Sequence, residues 1–142
     1  EKLYQEQCAV CHSENGEGLQ VDGKTVFPAP WGDGSNNWGA GIVRVFTAAG
    51  FIKNNMPLGQ PLSLSDQEAW DIAYYISNQE RPQDPRYTGD VKETLEKYGP
   101  TFHKHSLYGQ ASEATGETLG DHDNTGEKDF LKPDTVRPRT FE

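Results

Sequence analysis

Cys8-Ala9-Val10-Cys11-His12 constrains this chain more tightly than any other stretch in it. The two thiols are separated by two residues on what reads as a helical turn, and the next residue is an imidazole. They are also the only two cysteines in the chain, so no structural disulfide, free nucleophilic thiol or distant thiolate ligand remains to be explained. C-x-x-C-H is the spacing that attaches a c-type haem: each thiol adds to one vinyl group of the porphyrin while the histidine meets the iron from the same side. Two other chemistries use similar residues. A dithiol redox pair needs a βαβ context that the flanks do not supply. A zinc site built from Cys8, Cys11 and two of His12, His103, His105 and His122 conflicts with the adjacency of Cys11 and His12.

Composition agrees with a chain that borrows part of its core. Only 33% of the 142 residues are of the AVILMFWYC set and the mean hydropathy is -0.83, thin for one self-sufficient domain. A haem adds a large apolar plate on which side chains can pack. The net charge of -9 disfavours nucleic acid and anionic membrane surfaces as partners. No run is long and apolar enough to cross a bilayer. The chain opens inside an apparent helix without a signal peptide, which reads as a mature or partial form.

Along the chain, Leu3 and Tyr4 ahead of the motif suit a short N-terminal helix that delivers its face to the haem. Residues 13–25 are Gly-rich and polar and read as a loop around the haem edge. Phe27-Pro28-Ala29-Pro30-Trp31-Gly32 is too proline-rich for a helix or a central strand and predicts an ordered turn. From 38 to 53, Ile42, Val45, Phe46, Ala49 and Ile52 recur at helical spacing. Within this helix Trp38 and Arg44 carry donors suited to haem propionates, a solvated Arg and a plain core Trp being the other readings.

Met56 is the only methionine. A thioether on a loop after a helix, followed by Pro57, is a soft neutral donor suited to the sixth position of a low-spin haem. His103 and His105 are its rivals. Ser65-Asp66-Gln67-Glu68 is a capping box that starts a helix near Asp66, with an apolar stripe of Ala69, Ile72, Ala73 and Ile76 ending near Asn78.

Taken together, the chain resembles a class I c-type cytochrome and, more narrowly, a single haem domain of the thiosulfate dehydrogenase family. The residues that carry this are Leu3-Tyr4, the Cys8–His12 motif, Trp31-Gly32, Trp38-Gly39-Ala40-Gly41, Ala48-Ala49-Gly50-Phe51-Ile52-Lys53, Asn55-Met56-Pro57-Leu58-Gly59, Leu64-Ser65-Asp66-Gln67-Glu68-Ala69 and Ala73-Tyr74-Tyr75-Ile76. The resemblance implies an all-α class I cytochrome c fold around one covalent haem c, and a Pro28 carbonyl that accepts from the proximal imidazole and fixes its orientation. It also implies attachment of the haem outside the cytoplasmic membrane, hence a periplasmic or extracellular protein. Enzymes of that family are similar to two such domains joined, the first with a cysteine-ligated catalytic haem. This chain has one motif and no third cysteine, and it has Asn55 where some members place a lysine beside the ligand Met. These departures predict an electron carrier that serves redox protein partners and is not itself an enzyme. The alternatives are a haem domain or subunit of a sulfur oxyanion enzyme, or a cytochrome within a larger assembly.

The cytochrome domain is expected to span residues 1–87 and an acidic, irregular extension residues 88–142, with a short exposed helix near 89–98. Isolated Phe102, Leu107, Tyr108, Leu119, Phe130, Leu131 and Phe141 show no period, so the extension reads as a docking or self-association element that folding does not need. Residues 121–129 resemble the first half of a calcium loop. Lys132 at the twelfth position and the absence of flanking helices favour a solvated acidic turn.

Overall fold

The computed structural model describes residues 1–124. Its first two helices are nearly one: α1 (Lys2–Gln7) and α2 (Ala9–His12) meet at Cys8, whose backbone leaves the helical region while its carbonyl still accepts from His12 N at 2.9 Å. The chain next makes a hairpin, β1 (Leu19–Val21) paired antiparallel with β2 (Lys24–Phe27). This departs from the expected loop and from a purely helical fold. Asp22-Gly23 at the tip, both with positive φ, is the turn pair that matches strand twist, and the strands are short and exposed.

The helix expected over 38–53 forms only in its second half, as α3 (Val45–Asn55), preceded by a 3-10 turn (Gly41–Val43). Arg44 stays extended because it bridges Ser106 in an isolated antiparallel pair, and Val45 N donates to the His105 carbonyl. Helix α4 (Asp66–Ser77) begins at the capping box: Ser65 Oγ accepts from Glu68 N at 3.1 Å and Glu68 Oε2 accepts from Ser65 N at 2.7 Å. Such a box satisfies two backbone donors that a helix start otherwise strands. Helix α5 (Val91–Tyr98) is capped by the Asp90 carboxylate, and a π turn (Gly99–His103) follows.

Two cores result. The first joins Tyr4, Val45, Ala48, Ala49, Ile52, Leu64, Ala69, Ile72 and Ala73, with Cys8, Trp31, Met56 and Tyr75 packed at its margin. Helix α1 meets α4 through Tyr4, whose ring lies 4.8 Å from Trp31 and 5.5 Å from Tyr75. The second core joins Trp38 and Val43 to Val91, Tyr108 and Leu119. Residues beyond 87 therefore share a core with residues before it, and α5 is not a free exposed helix, since Val91 and Thr94 are buried. Gly120 has positive φ, and a Cβ there would lie 2.1 Å from the Tyr108 ring, so only glycine lets the chain close over that tyrosine.

Candidate functional site

The Cys8–His12 segment lies on α2 with both thiols half-buried and unpaired, while Val10 between them faces outward. Burial first, and then the neighbouring Cys11, push the Cys8 thiol up to about 11. A reactive dithiol pair depends on a thiol pulled the other way, and burial works against that at Cys8. The zinc alternative fares no better, because no group of three or more potential ligands occurs among the described residues.

His12 Nδ1 lies 2.7 Å from the Pro28 carbonyl oxygen. With Nδ1 donating there, the tautomer is set and Nε2 is left as the basic nitrogen. Local sequence explains how the two groups meet. Gly18 N donates to the His12 carbonyl, and a Cβ on Gly18, which has positive φ, would lie 2.4 Å from the Phe27 carbonyl oxygen. A glycine at 18 thus lets the chain fold back so that Pro28 comes level with His12.

Met56 follows α3, is half-buried and borders the first core. Its loop is fixed by three contacts: Met56 N donates to Ile52 O, Leu62 N to Lys53 O, and Lys53 Nζ to Leu64 O at 2.5 Å. In and next to this loop Leu58 and Leu62 stand exposed, as do Phe46 and Phe51 on α3. Cys8 and Met56 both border the first core, and two thiols, an oriented imidazole and a thioether are the donor types that a haem c uses.

Two expected propionate donors have other partners. The Trp38 indole is fully buried in the second core and donates to Glu80 Oε1 at 2.5 Å. An indole has one N–H, so no donor is left for a propionate. Arg44 donates to the carbonyls of Phe102 and Thr101 at 3.4 and 3.3 Å, which ties it to the segment after α5. The rival iron ligands are also placed. His103 is buried, with Nε2 2.7 Å from Asp84 Oδ2 and its ring stacked on Tyr108 at 4.1 Å, while His105 is exposed at a left-handed backbone position.

A polar cluster that sequence reasoning missed lies beside the second core, against Tyr108. The Asp84 carboxylate, wholly buried, accepts from Arg86 through Oδ1 and Oδ2 and holds His103. Gln83 donates to the Gly120 carbonyl and accepts from the Tyr108 hydroxyl at 2.9 Å. In the sequence, residues 84–87 read only as a turn. The available signal was six polar or charged residues from Gln79 to Arg86 on a chain otherwise short of apolar residues. The calcium-like stretch is described only to Asn124. There His122 Nε2 lies 3.0 Å from Glu80 Oε1 without a hydrogen-bonding angle, and the rest of that stretch, with Phe130, Leu131 and Phe141, lies outside the described residues.

Residues 1–76 match the sequence profile of the family described as cytochrome c oxidase, cbb3-type, subunit III. The chain belongs to that cytochrome c family. It is also 51% identical over 121 residues to a thiosulfate dehydrogenase of Thiomonas intermedia (strain K12), covering 85% of this chain and 37% of the relative. A thiosulfate dehydrogenase of Stutzerimonas stutzeri (strain A1501) is 50% identical over 120 residues, covering 84% and 38%. Among solved structures, thiosulfate dehydrogenase (TsdBA) from Marichromatium purpuratum in its "as isolated" form superposes with a TM-score of 0.75 at 52% identity, covering 84% of this chain and 25% of that one.

The chain is thus an electron-transfer cytochrome c domain homologous to the haem domains of thiosulfate dehydrogenases, and it spans less than two fifths of the curated relatives' length. The expectation that it is not an enzyme is corrected by these names, which point to an oxidoreductase subunit. The missing third cysteine misled because it describes only this stretch, whereas more than three fifths of each relative lies beyond the match. No helix among the described residues is long and apolar enough to cross a membrane.

Proposed function

We propose that this chain is the electron-transferring haem domain of a thiosulfate dehydrogenase-like oxidoreductase, holding one haem c through Cys8 and Cys11 with His12 and Met56 as axial ligands. The observation that carries the reading is the 2.7 Å contact from His12 Nδ1 to the Pro28 carbonyl. It joins two stretches sixteen residues apart in the way an axial imidazole requires and a solvated histidine does not. When bound, the haem supplies a one-electron couple. The protein's own residues anchor it by two thioethers, orient one ligand through Pro28, supply a neutral thioether from Met56, and surround it with apolar side chains. An apolar surround and a thioether ligand favour the reduced, less charged iron. Redox proteins are the partners, and a net charge of -9 favours ones that present a basic face. Covalent attachment puts the protein in the periplasm or outside the cell.

Two measurements test this. Acid extraction of the denatured protein should leave the porphyrin on the polypeptide, with the mass raised by one haem. Porphyrin that extracts freely would end the covalent reading. Met56→Ala should open the sixth position, lower the midpoint potential, let cyanide or imidazole bind readily and abolish the far-red thioether-to-iron charge-transfer band. An unchanged spectrum would move the sixth ligand to another donor.

A further inference from the structure

Helix α4 ends at Ser77, and the two residues Glu80 and Arg81 beyond it grip the turn that carries the Pro28 carbonyl. Gly32 N donates to the Glu80 backbone carbonyl at 2.8 Å and Arg81 Nη2 donates to the Pro30 carbonyl at 3.2 Å. The turn is thereby held at two points, two and four residues past Pro28. The grip itself is braced. The Arg81 guanidinium lies 5.2 Å from the centroid of the Trp38 ring, and the Glu80 carboxylate accepts from Trp38 Nε1, from Arg81 N and from Gly120 N.

Arg81 is a costly way to hold a loop. It is 4% exposed, and its Nε is buried with no hydrogen-bond acceptor among the described residues. Burial brings it down to about 10, with Glu80 opposing, so it is still a cation at neutral pH. A buried charge with an unpaired donor contributes little net stability, and an apolar residue of similar size often does as well. Its return must come from where it puts the turn and its charge.

We propose that Arg81 is a positioning residue for the axial histidine: it fixes the Pro28–Gly32 turn so that the Pro28 carbonyl holds the His12 imidazole in one tautomer and one orientation. The inference rests on the haem reading above. Through Glu80 and Gly120, the same grip connects the segment after α5 to the ligand side of the site.

The test uses the full-length holoprotein, Arg81→Gln, Arg81→Lys and, as a control that removes a surface charge, Lys104→Gln. The readouts are the mass, the hyperfine-shifted His12 ring resonances of the oxidised protein, the exchange rate of the His12 Nδ1 proton, and the midpoint potential. Arg81→Gln should keep its haem, move the ring resonances, lower the potential and speed Nδ1 proton exchange about tenfold, as expected for one weakened hydrogen bond. Arg81→Lys should recover the potential and slow exchange back toward the parent, because the charge returns and an ammonium can donate the single bond to the Pro30 carbonyl. Lys104→Gln should change nothing. Unmoved ring resonances and exchange in a haem-loaded Arg81→Gln protein would overturn the positioning role. Absence of covalent haem from the unaltered protein would instead overturn the haem reading. If Arg81→Gln does not fold, the unaltered holoprotein decides: the Arg81 guanidinium protons should exchange at least tenfold more slowly than those of Arg44, and equal rates would overturn the proposal.

Discussion

Ending the chain at Tyr98 should destabilise the haem-loaded protein by about 5 kcal/mol or more. The truncation removes Tyr108 and Leu119, each 2% exposed, from a core whose other members are Trp38, Val43 and Val91. Deleting one large buried aromatic costs about 3–5 kcal/mol and a buried leucine about 2–5 kcal/mol. It also leaves the Trp38 ring without its neighbour at 5.6 Å, Asp84 without His103, and Gln83 without Gly120 and the Tyr108 hydroxyl. The whole stability of an ordinary domain is about 5–15 kcal/mol, so the shortened chain should be mostly unfolded or melt far below the parent. Thermal unfolding, followed by far-UV circular dichroism and haem absorbance together, measures it. An unchanged melting temperature would restore the view of residues 99–142 as a docking element dispensable for folding.

That view was drawn from the sequence, and the shared core that argues against it has a physical cause. Val91, Tyr108 and Leu119 are separated by seventeen and eleven residues, so no helical or strand period joins them. They converge because of positive-φ glycines, such as Gly109 and Gly120, and because polar residues in turns bond to one another. Periodicity reports an element's face and is silent about cores assembled from loops. Where a local rule applied, the sequence was legible. The box at Ser65 and Glu68 starts α4 where its side-chain chemistry requires, and the stripe of Ala69, Ile72 and Ala73 is buried. The motif and the proline turn could be read at sixteen residues' separation because the resemblance supplied the contact between His12 and Pro28. The segment 38–44 was misread for a different reason. Its apolar spacing fits a helix, but Trp38 and Val43 face the second core while Arg44 pairs as a strand with Ser106. Tertiary pairing overrode the local pattern. Trp38 then found a carboxylate within the protein, as a buried donor must, and the half-buried Arg44 found two carbonyls.

Asp84→Asn should be the most damaging single polar substitution, costing about 3–5 kcal/mol. Its carboxylate is fully buried between His103 and Arg86, and an amide of the same shape would set a donor against two donors. Burial pushes the Asp84 carboxyl upward, but the hydrogen bonds from His103 and Arg86 and the charge of Arg86 outweigh it and bring it to about 2. The unfolded chain then binds the proton more readily than the folded one. This contribution is therefore complete above the ordinary aspartate value of about 4 and is lost as pH falls through about 2, a swing of about 2 kcal/mol. Denaturant titrations of the parent between pH 6 and pH 2 should show stability falling over that range. The same titrations of Asp84→Asn should start lower and fall less steeply below pH 4, because one of the groups that drives the acid limb is gone. Parallel curves for the two proteins would mean that Asp84 is not held as a carboxylate by His103 and Arg86. The polar cluster beside the second core would then need another explanation.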